Sequence, residues 1–410
     1  MDDNDRSVVG VVMLSHALVH TYELTIPIFM VVWLVEFSAT EALLGVVVAV
    51  GYALFGIGAL PSGVISDKYG SQNLIAVCLV GMGLSFIILS FATNILMIAV
   101  AVCLWGAAAS IYHPAGLSLI STAVKDSGSG FAYHGMAGNA GIALGPLCSV
   151  VLLWFTDWRA VSLVLAIPAF FAVVYILRAD IDEMAAANLA SDGSGGTGGP
   201  ADAPSSPSFF ESSKSLFLGG FALVFLVIVF NGLYYRGILT FLPELLADFV
   251  TIGGLEDGAG AEQFDGSDFI YVGILMVGIL GQYVGGKATD RIPVERGLVA
   301  GYACLVVIAL LYVPAAESGL IFLVFVSLLL GFCLFALQPM YQVAVAEYSP
   351  TDSRGLSYGY TYLAQFGVGA MGAAIVGIIL TYSVVASVFF ALAAFAVVAS
   401  AFSVRLLMKR

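Results

Sequence analysis

Runs of about 20 apolar residues, set apart by short polar turns, recur twelve times along this chain, and no other feature limits its fold so strongly. The runs fall near 8–34, 41–62, 73–92, 95–123, 130–153, 159–178, 215–242, 268–286, 297–314, 319–347, 354–381 and 383–406. A segment of that length in hydrocarbon must satisfy its backbone amides internally, so each run is read as a helix crossing a bilayer. Composition agrees: 60% of residues are hydrophobic and 10% charged, with a mean hydropathy of +1.03, against about 45–50% and 25% in soluble chains. The expected fold class is an all-α membrane protein of twelve transmembrane helices, with a lipid bilayer as its main partner and no nucleic acid.

Basic residues set the expected orientation. If both termini face the cytoplasm, then Arg6, Lys68, Lys125, Arg178, Lys214, Lys287, Arg291, Arg296, Arg354, Arg405, Lys409 and Arg410 share one side. Only Arg159 falls outside, and Arg236 lies within a span. The acidic leader MDDNDRS is read as preceding a retained first helix rather than a cleaved signal, and the expected location is the cytoplasmic (inner) membrane. Cys78, Cys103, Cys148, Cys304 and Cys333 all sit in spans without metal-ligand spacing and read as small apolar residues. The net charge of −13 gathers in termini and loops, notably from Glu244 to Asp268, and fits solvation in high salt better than a basic partner.

Between the sixth and seventh runs lies a stretch rich in Gly, Ser, Ala and Pro that cannot bury enough apolar area to fold. The expected organisation is an N-terminal six-helix bundle at 1–180, a flexible cytoplasmic linker at 181–214 and a C-terminal six-helix bundle at 215–410. The halves resemble each other. GVISDKYG from Gly63 returns as GKATDRIP from Gly286, and YHPAG with His113 and Pro114 returns as LQPMY with Gln338 and Pro339. At the same offset of 225, Gly130 and Tyr133 match Gly355 and Tyr358. HTYELTIP and RGILTFLP align through Pro27 and Pro243, which sets His20 opposite Arg236. An even number of helices per half gives both repeats the same orientation, related by an axis along the membrane normal.

These duplicated motifs resemble the major facilitator superfamily over essentially the whole chain. The loop pattern of that superfamily is Gly, three residues, Asp, a basic residue and often Gly; Gly63, Asp67, Lys68 and Gly70 meet it, with Ser71 and Gln72 where a basic pair usually follows. The second copy keeps Gly286, Asp290 and Arg291. The resemblance implies that these loops latch the halves, that the first, fourth, seventh and tenth helices line a central cavity, and that transport runs by alternating access. SHALVHTY, YHPAG and AGNAGIALGP are also similar to the fosmidomycin-resistance branch of exporters. The chain departs from that branch at His20, where an Asp is usual, and at Ala115, where an acid is common. The Arg that many drug/proton antiporters carry in the fourth span is replaced by the neighbourhood Ser110 to His113.

The residues that carry chemistry are the polar ones inside spans, because an ionisable group at mid-bilayer depth costs about 2.5 to 3.5 kcal/mol or more. At 100° per residue His16, His20 and Glu23 stand at about 0°, 40° and −20°, a single face of the first helix. All four histidines, His16, His20, His113 and His134, belong to the first half, and a histidine cluster beside a carboxylate suits a proton relay with Glu23 as the leading carrier. Arg236, near Asn231, Tyr234 and Tyr235, can hold a carboxylate or phosphonate. Gln338, Tyr341 and Gln342 in the tenth span, with Tyr358, Tyr362 and Gln365 in the eleventh, complete the expected solute site. Gly138, Gly141 and Gly145, ending at Pro146, form a close-packing stripe expected to face the opposite half, with Gly367, Gly369 and Gly372 as its counterpart.

The expected function is secondary active transport of a small polar or anionic organic solute, as proton-coupled export by a monomer that is not an enzyme and needs no cofactor. The first alternative is a proton- or sodium-coupled symporter that takes up an anion. A remote one is an intramembrane metal-binding protein or metal carrier using His16, His20 and Glu23; no metal ligand is otherwise assigned, and His-Glu-x-x-His is absent.

Overall fold

The computed structural model describes residues 1–188, 209–252, 266–350 and 354–409. Among them the secondary structure is helical, and twelve segments are long and apolar enough to cross a membrane. They run Asp3–Glu36, Glu41–Gly63, Ser71–Ser90, Ile95–Ala123, Ser127–Leu153, Trp158–Arg178, Phe221–Val250, Gly266–Thr289, Val294–Glu317, Leu320–Tyr348, Leu356–Tyr382 and Val385–Leu407, and are called here the first to the twelfth span. The central part of the expected linker, 189–208, lies outside the described residues, as do 253–265 of the acidic segment.

Side-chain caps set many of the helix starts. Asp2 accepts from Asp5 N at 2.9 Å, Thr40 from Leu43 N at 3.2 Å and Asn94 from Met97 N at 3.0 Å, each satisfying an amide that the helix itself cannot. Glu183, just past the sixth span, caps the third from a distance, accepting from Ser71 N at 2.8 Å and Gln72 N at 3.0 Å. Gly70, at φ +83°, makes the turn that brings those amides round.

Four spans depart from the sequence expectation. The second helix continues to Tyr69, so Gly63, Asp67 and Lys68 lie on its last turns rather than in a loop. The fourth span breaks at Ser110–Ile111 into Ile95–Ala109 and Tyr112–Ala123, which frees the start of the second piece to turn His113 inward. The seventh runs from Phe221 to Ile252, where 215–242 was expected, and a separate helix, Phe209–Leu218, precedes it. Pro243 does not end the seventh, because Leu245, Leu246 and Val250 bury an apolar face beyond it and place Glu244 and Asp248 on helix. The eleventh carries a π-helical stretch, Leu363–Val368.

The repeat is visible in contacts as well as letters. A Cβ on Gly63 would stand 3.9 Å from Pro114 Cβ, and a Cβ on Gly286 would stand 3.9 Å from Pro339 Cβ. The two halves meet chiefly along the second and eleventh spans. Thr381 Oγ1 donates to Glu41 Oε2 at 2.9 Å near one end, the rings of Phe55 and Phe366 lie 4.7 Å apart midway, and Gly359 lies against Leu60 near the other end. On the opposite flank Trp154 after the fifth span meets Phe269 of the eighth at 5.2 Å.

Candidate functional site

The first helix crosses the fifth so closely that only glycine fits at the contact. Substituent atoms on Gly141 and Gly145 would collide with the backbone of Ala17 and Thr21, and a Cβ on Gly138 would lie 2.7 Å from His16 Nδ1. The stripe therefore packs within the N-terminal half, against the first span, and not across to the other half as the sequence suggested; Gly369 and Gly372 likewise pack on Gly232 and Leu233 of the seventh span. Of these glycines, Gly367 is the one set against the opposite half, at Gly56. Pro146 is buried in the same fifth helix.

Into the space left by Gly138 turns the imidazole of His16, and from it a chain of hydrogen bonds runs along the first helix. His16 Nδ1 is 2.7 Å from the His134 carbonyl oxygen. His16 Nε2 faces His20 Nε2 at 3.0 Å, and His20 Nδ1 lies 2.6 Å from Glu23 Oε2. The other carboxylate oxygen of Glu23, Oε1, accepts from Arg236 of the seventh span. His16, His20, Glu23 and Arg236 are all buried, so the chain joins the two halves through the core. The i, i+4 and i+7 spacing that put three polar groups on one face also strung them within bonding reach.

Aromatic rings enclose the ion pair. The Arg236 guanidinium sits 3.9 Å from the ring centre of Tyr52, 4.7 Å from Phe366 and 5.4 Å from Tyr235, and Tyr52 OH donates to the Glu23 carbonyl at 3.1 Å. A desolvated guanidinium gains from such faces by cation–π attraction. Arg236 Nε, His113 Nδ1 and His134 Nε2 are buried without a hydrogen-bond partner among the described residues. His134 stacks on His16 at 3.8 Å, and His113 meets His16 edge-on at 5.2 Å, His20 at 5.6 Å and Tyr362 of the eleventh span at 4.7 Å. All four histidines thus form one cluster. Nitrogens of His16, His20 and His113 lie within 4.8 Å of one another, a spacing that could hold a metal ion, while Glu23 is bonded to the other nitrogen of His20 and to Arg236.

The second half supplies neutral groups. Asn231 Nδ2 donates to Gln365 Oε1 at 3.0 Å, and Tyr302 OH donates to Asn231 Oδ1 at 3.2 Å. Gln282 Nε2 donates to Gln338 Oε1 at 2.9 Å. Tyr341 is buried, whereas its neighbour Gln342 is exposed, so the tenth-span trio does not act as one unit. Of the latch residues, Lys68 lies over its neighbour Tyr69 at 5.0 Å, and Asp290 pairs at 3.9 Å with Lys287 of its own turn, with Arg291 exposed beside it. The Asp67 side chain lies outside the described residues. Sequence reasoning missed Tyr52, Phe55, Tyr302 and Phe366. Tyr52, the one tyrosine in the apolar second run, was the one with a readable signal.

Two bundles joined at a buried, charged centre with aromatic walls define a membrane transporter of the two-half, twelve-helix class. The family model described as Major Facilitator Superfamily matches residues 12–373, and the chain belongs to that superfamily. Among solved structures it resembles a bacterial homolog of the human lysosomal transporter Spinster in an inward-facing, unoccupied conformation, at a TM-score of 0.75 and 14% identity, covering 100% of this chain and 98% of the other. It also resembles the nucleoside transporter NupG, at 0.75 and 15% over 98% of this chain and 100% of that one. A D-xylose–proton symporter matches at 0.74 and 15%, over 98% and 97%. At these identities the likeness is one of fold. A triacylglyceride transporter of Mycolicibacterium smegmatis is 30% identical over 142 residues, which are 32% of this chain and 25% of the relative. One of Mycolicibacterium hassiacum is 32% identical over 130 residues, 31% of this chain and 24% of its own length. The match spans about a quarter of the length of these curated relatives.

Proposed function

We propose that the protein is a proton-coupled secondary transporter that exports a small polar or anionic organic solute across the cytoplasmic membrane, with both termini cytoplasmic, acting as a monomeric carrier and not as an enzyme. The observation that carries this reading is the Glu23–Arg236 pair, which bridges the halves while Glu23 also holds the end of the histidine chain. A solute anion that engages Arg236 must compete with the Glu23 carboxylate, and the unpartnered Nε edge offers a second donor for it. Release of Glu23 then frees the halves to rock and hands the charge change to His20, which is how solute and proton come to exchange. His16, His20, Glu23, His113 and His134 serve proton coupling. Arg236, Asn231, Tyr235, Gln338, Tyr341, Tyr362 and Gln365 surround the solute, with Gln342 at the rim. Gly63, Asp67, Lys68, Gly70, Gly286, Asp290 and Arg291 form the conformational latch between the halves. A proton/anion symporter uses the same pair with the proton and the anion arriving together.

The test is made in everted vesicles loaded with a pH-sensitive dye under an inward-acid gradient, with phosphonates, carboxylates, common antibiotics and a triacylglyceride offered in turn. Solute-induced dissipation by the wild type and its loss in Glu23→Gln is the expected result. Dissipation that needs sodium instead of the proton gradient, or none with any solute from folded protein, refutes proton-coupled export.

A further inference from the structure

We infer that the coupling proton is held between His16 Nε2 and His20 Nε2 rather than on Glu23. This rests on the proton-coupled reading above and names the atoms that serve it. The inference follows from counting donors and acceptors along the chain. A backbone carbonyl can only accept, so His16 Nδ1, 2.7 Å from the His134 oxygen, carries a hydrogen. The Glu23 carboxylate is bound by the Arg236 guanidinium on Oε1, which keeps it ionised, so it too accepts, and His20 Nδ1 at 2.6 Å from Oε2 carries a hydrogen. If both imidazoles were neutral, their Nε2 atoms would present lone pairs to each other at 3.0 Å. One cation must lie between them, and a proton fits an N–H···N bond of that length.

The groups packed around the pair supply one carboxylate, which Arg236 also engages. Glu23 on the first span is the nearest anion and is shared with Arg236; Tyr52 of the second span covers that arginine, and Tyr235 flanks it on the seventh. The fourth span turns His113 and Tyr112 toward His16 at 5.2 and 5.3 Å, and the fifth stacks His134 on it at 3.8 Å. Tyr362 of the eleventh reaches His113 at 4.7 Å. Cys78 of the third span is buried, and Tyr175 of the sixth stands farther along, beside Gly10. The proton enters from water, sits on one Nε2 while the other accepts, and returns to water with no other bond made or broken. When it leaves, the two lone pairs repel and the rings must part. His20 then moves with Glu23, the strut to the opposite half, so loss of the proton at the first helix loosens Arg236 some residues away.

The chain has four histidines, all in this cluster, so imidazole-¹⁵N labelling reads the site alone. Magnetic resonance of the labelled protein in lipid nanodiscs should show one proton coupled to two Nε2 nitrogens, absent from His16→Gln. In proteoliposomes carrying a solute found in the vesicle assay, folded His16→Gln should lose roughly 5- to 150-fold of the proton-driven accumulation, the usual span of a coupling factor. Wild type that accumulates solute without regard to the proton gradient refutes the proton-coupled reading itself. Wild type that responds, with His16→Gln responding equally, overturns only the placement of the proton. Nε2 nitrogens that share no proton, or whose resonances shift when a chelator strips a bound metal, overturn it as well.

Discussion

The crossing of the first and fifth spans and that of the seventh and eleventh are built alike and filled differently. Gly138 faces His16 and Gly141 faces the Ala17 carbonyl; in the second half Gly369 faces Gly232 and Gly372 faces the Leu233 carbonyl. The step from one crossing to the other is 216 residues on the first-span side and 231 on the fifth-span side. In the first half the close approach of backbones leaves a slot that an imidazole occupies, and the slot becomes the start of a charged chain. In the second half the equivalent position has no side chain, and the polar groups nearby, Asn231, Gln365 and Tyr302, bond among themselves. On the proposed function, the duplicated scaffold supplies the geometry of rocking and a few side chains divide the work: proton handling in one half, solute recognition in the other, with Glu23 and Arg236 between them.

The largest way to break this division is to remove one member of the pair. Arg236→Met leaves the buried Glu23 carboxylate with His20 as its one side-chain partner and should cost about 3–5 kcal/mol of stability, seen as a lowered unfolding midpoint in detergent, whereas the double variant with Glu23→Leu should recover most of the loss. Next is the slot. Gly138→Ala sets a methyl against His16 and should cost about 1–3 kcal/mol and disturb proton coupling. Gly369→Ala should cost as much without touching proton coupling, and Gly135→Ala, which meets nothing within 4 Å, should do neither. Of the same order, Asn231→Leu strands Gln365 and should cost about 1–3 kcal/mol, raising the solute concentration for half-maximal transport while leaving its pH profile in place.

The smallest effect lies at the N-terminus. The Asp5 amide and then Lys125 hold the Asp2 carboxyl below the usual carboxylate range. That group therefore stabilises the fold above its unfolded pKa and loses the contribution as pH falls through its lower folded value. Asp2→Asn should remove a slight acid sensitivity of the unfolding midpoint and nothing at neutral pH in transport.

How much of this was legible beforehand differs by residue. The twelve spans and the His16–His20–Glu23 face follow from hydrophobic run length and helical angle alone, because both are local. Alignment through Pro27 and Pro243 set His20 opposite Arg236, yet the bond forms with Glu23, since the crossing of two helices from different halves is a tertiary fact that no repeat encodes. The match of Gly130 and Tyr133 with Gly355 and Tyr358 at 225 residues does not extend to the crossing, where 231 holds; the π-helical stretch Leu363–Val368 falls between the two registers. The break at Ser110–Ile111 is announced by Pro114, which has no N–H to give the Ser110 carbonyl four residues back, but the inward turn of His113 that follows it is set by packing and was not readable. The glycine stripe was readable as close packing, but its partner was not, because small residues state that something approaches and not what.

The most direct measurement is the charge swap, Glu23→Arg with Arg236→Glu, followed in one preparation by thermal unfolding and by proton-driven solute accumulation. The swapped pair still joins the halves, but His20 then faces a guanidinium that can only donate. Stability regained relative to Arg236→Glu alone, with proton-driven accumulation still absent, is the expected result. Recovery of both would show that the histidine chain has no part in coupling, and recovery of neither would show that the pair is not the strut between the halves.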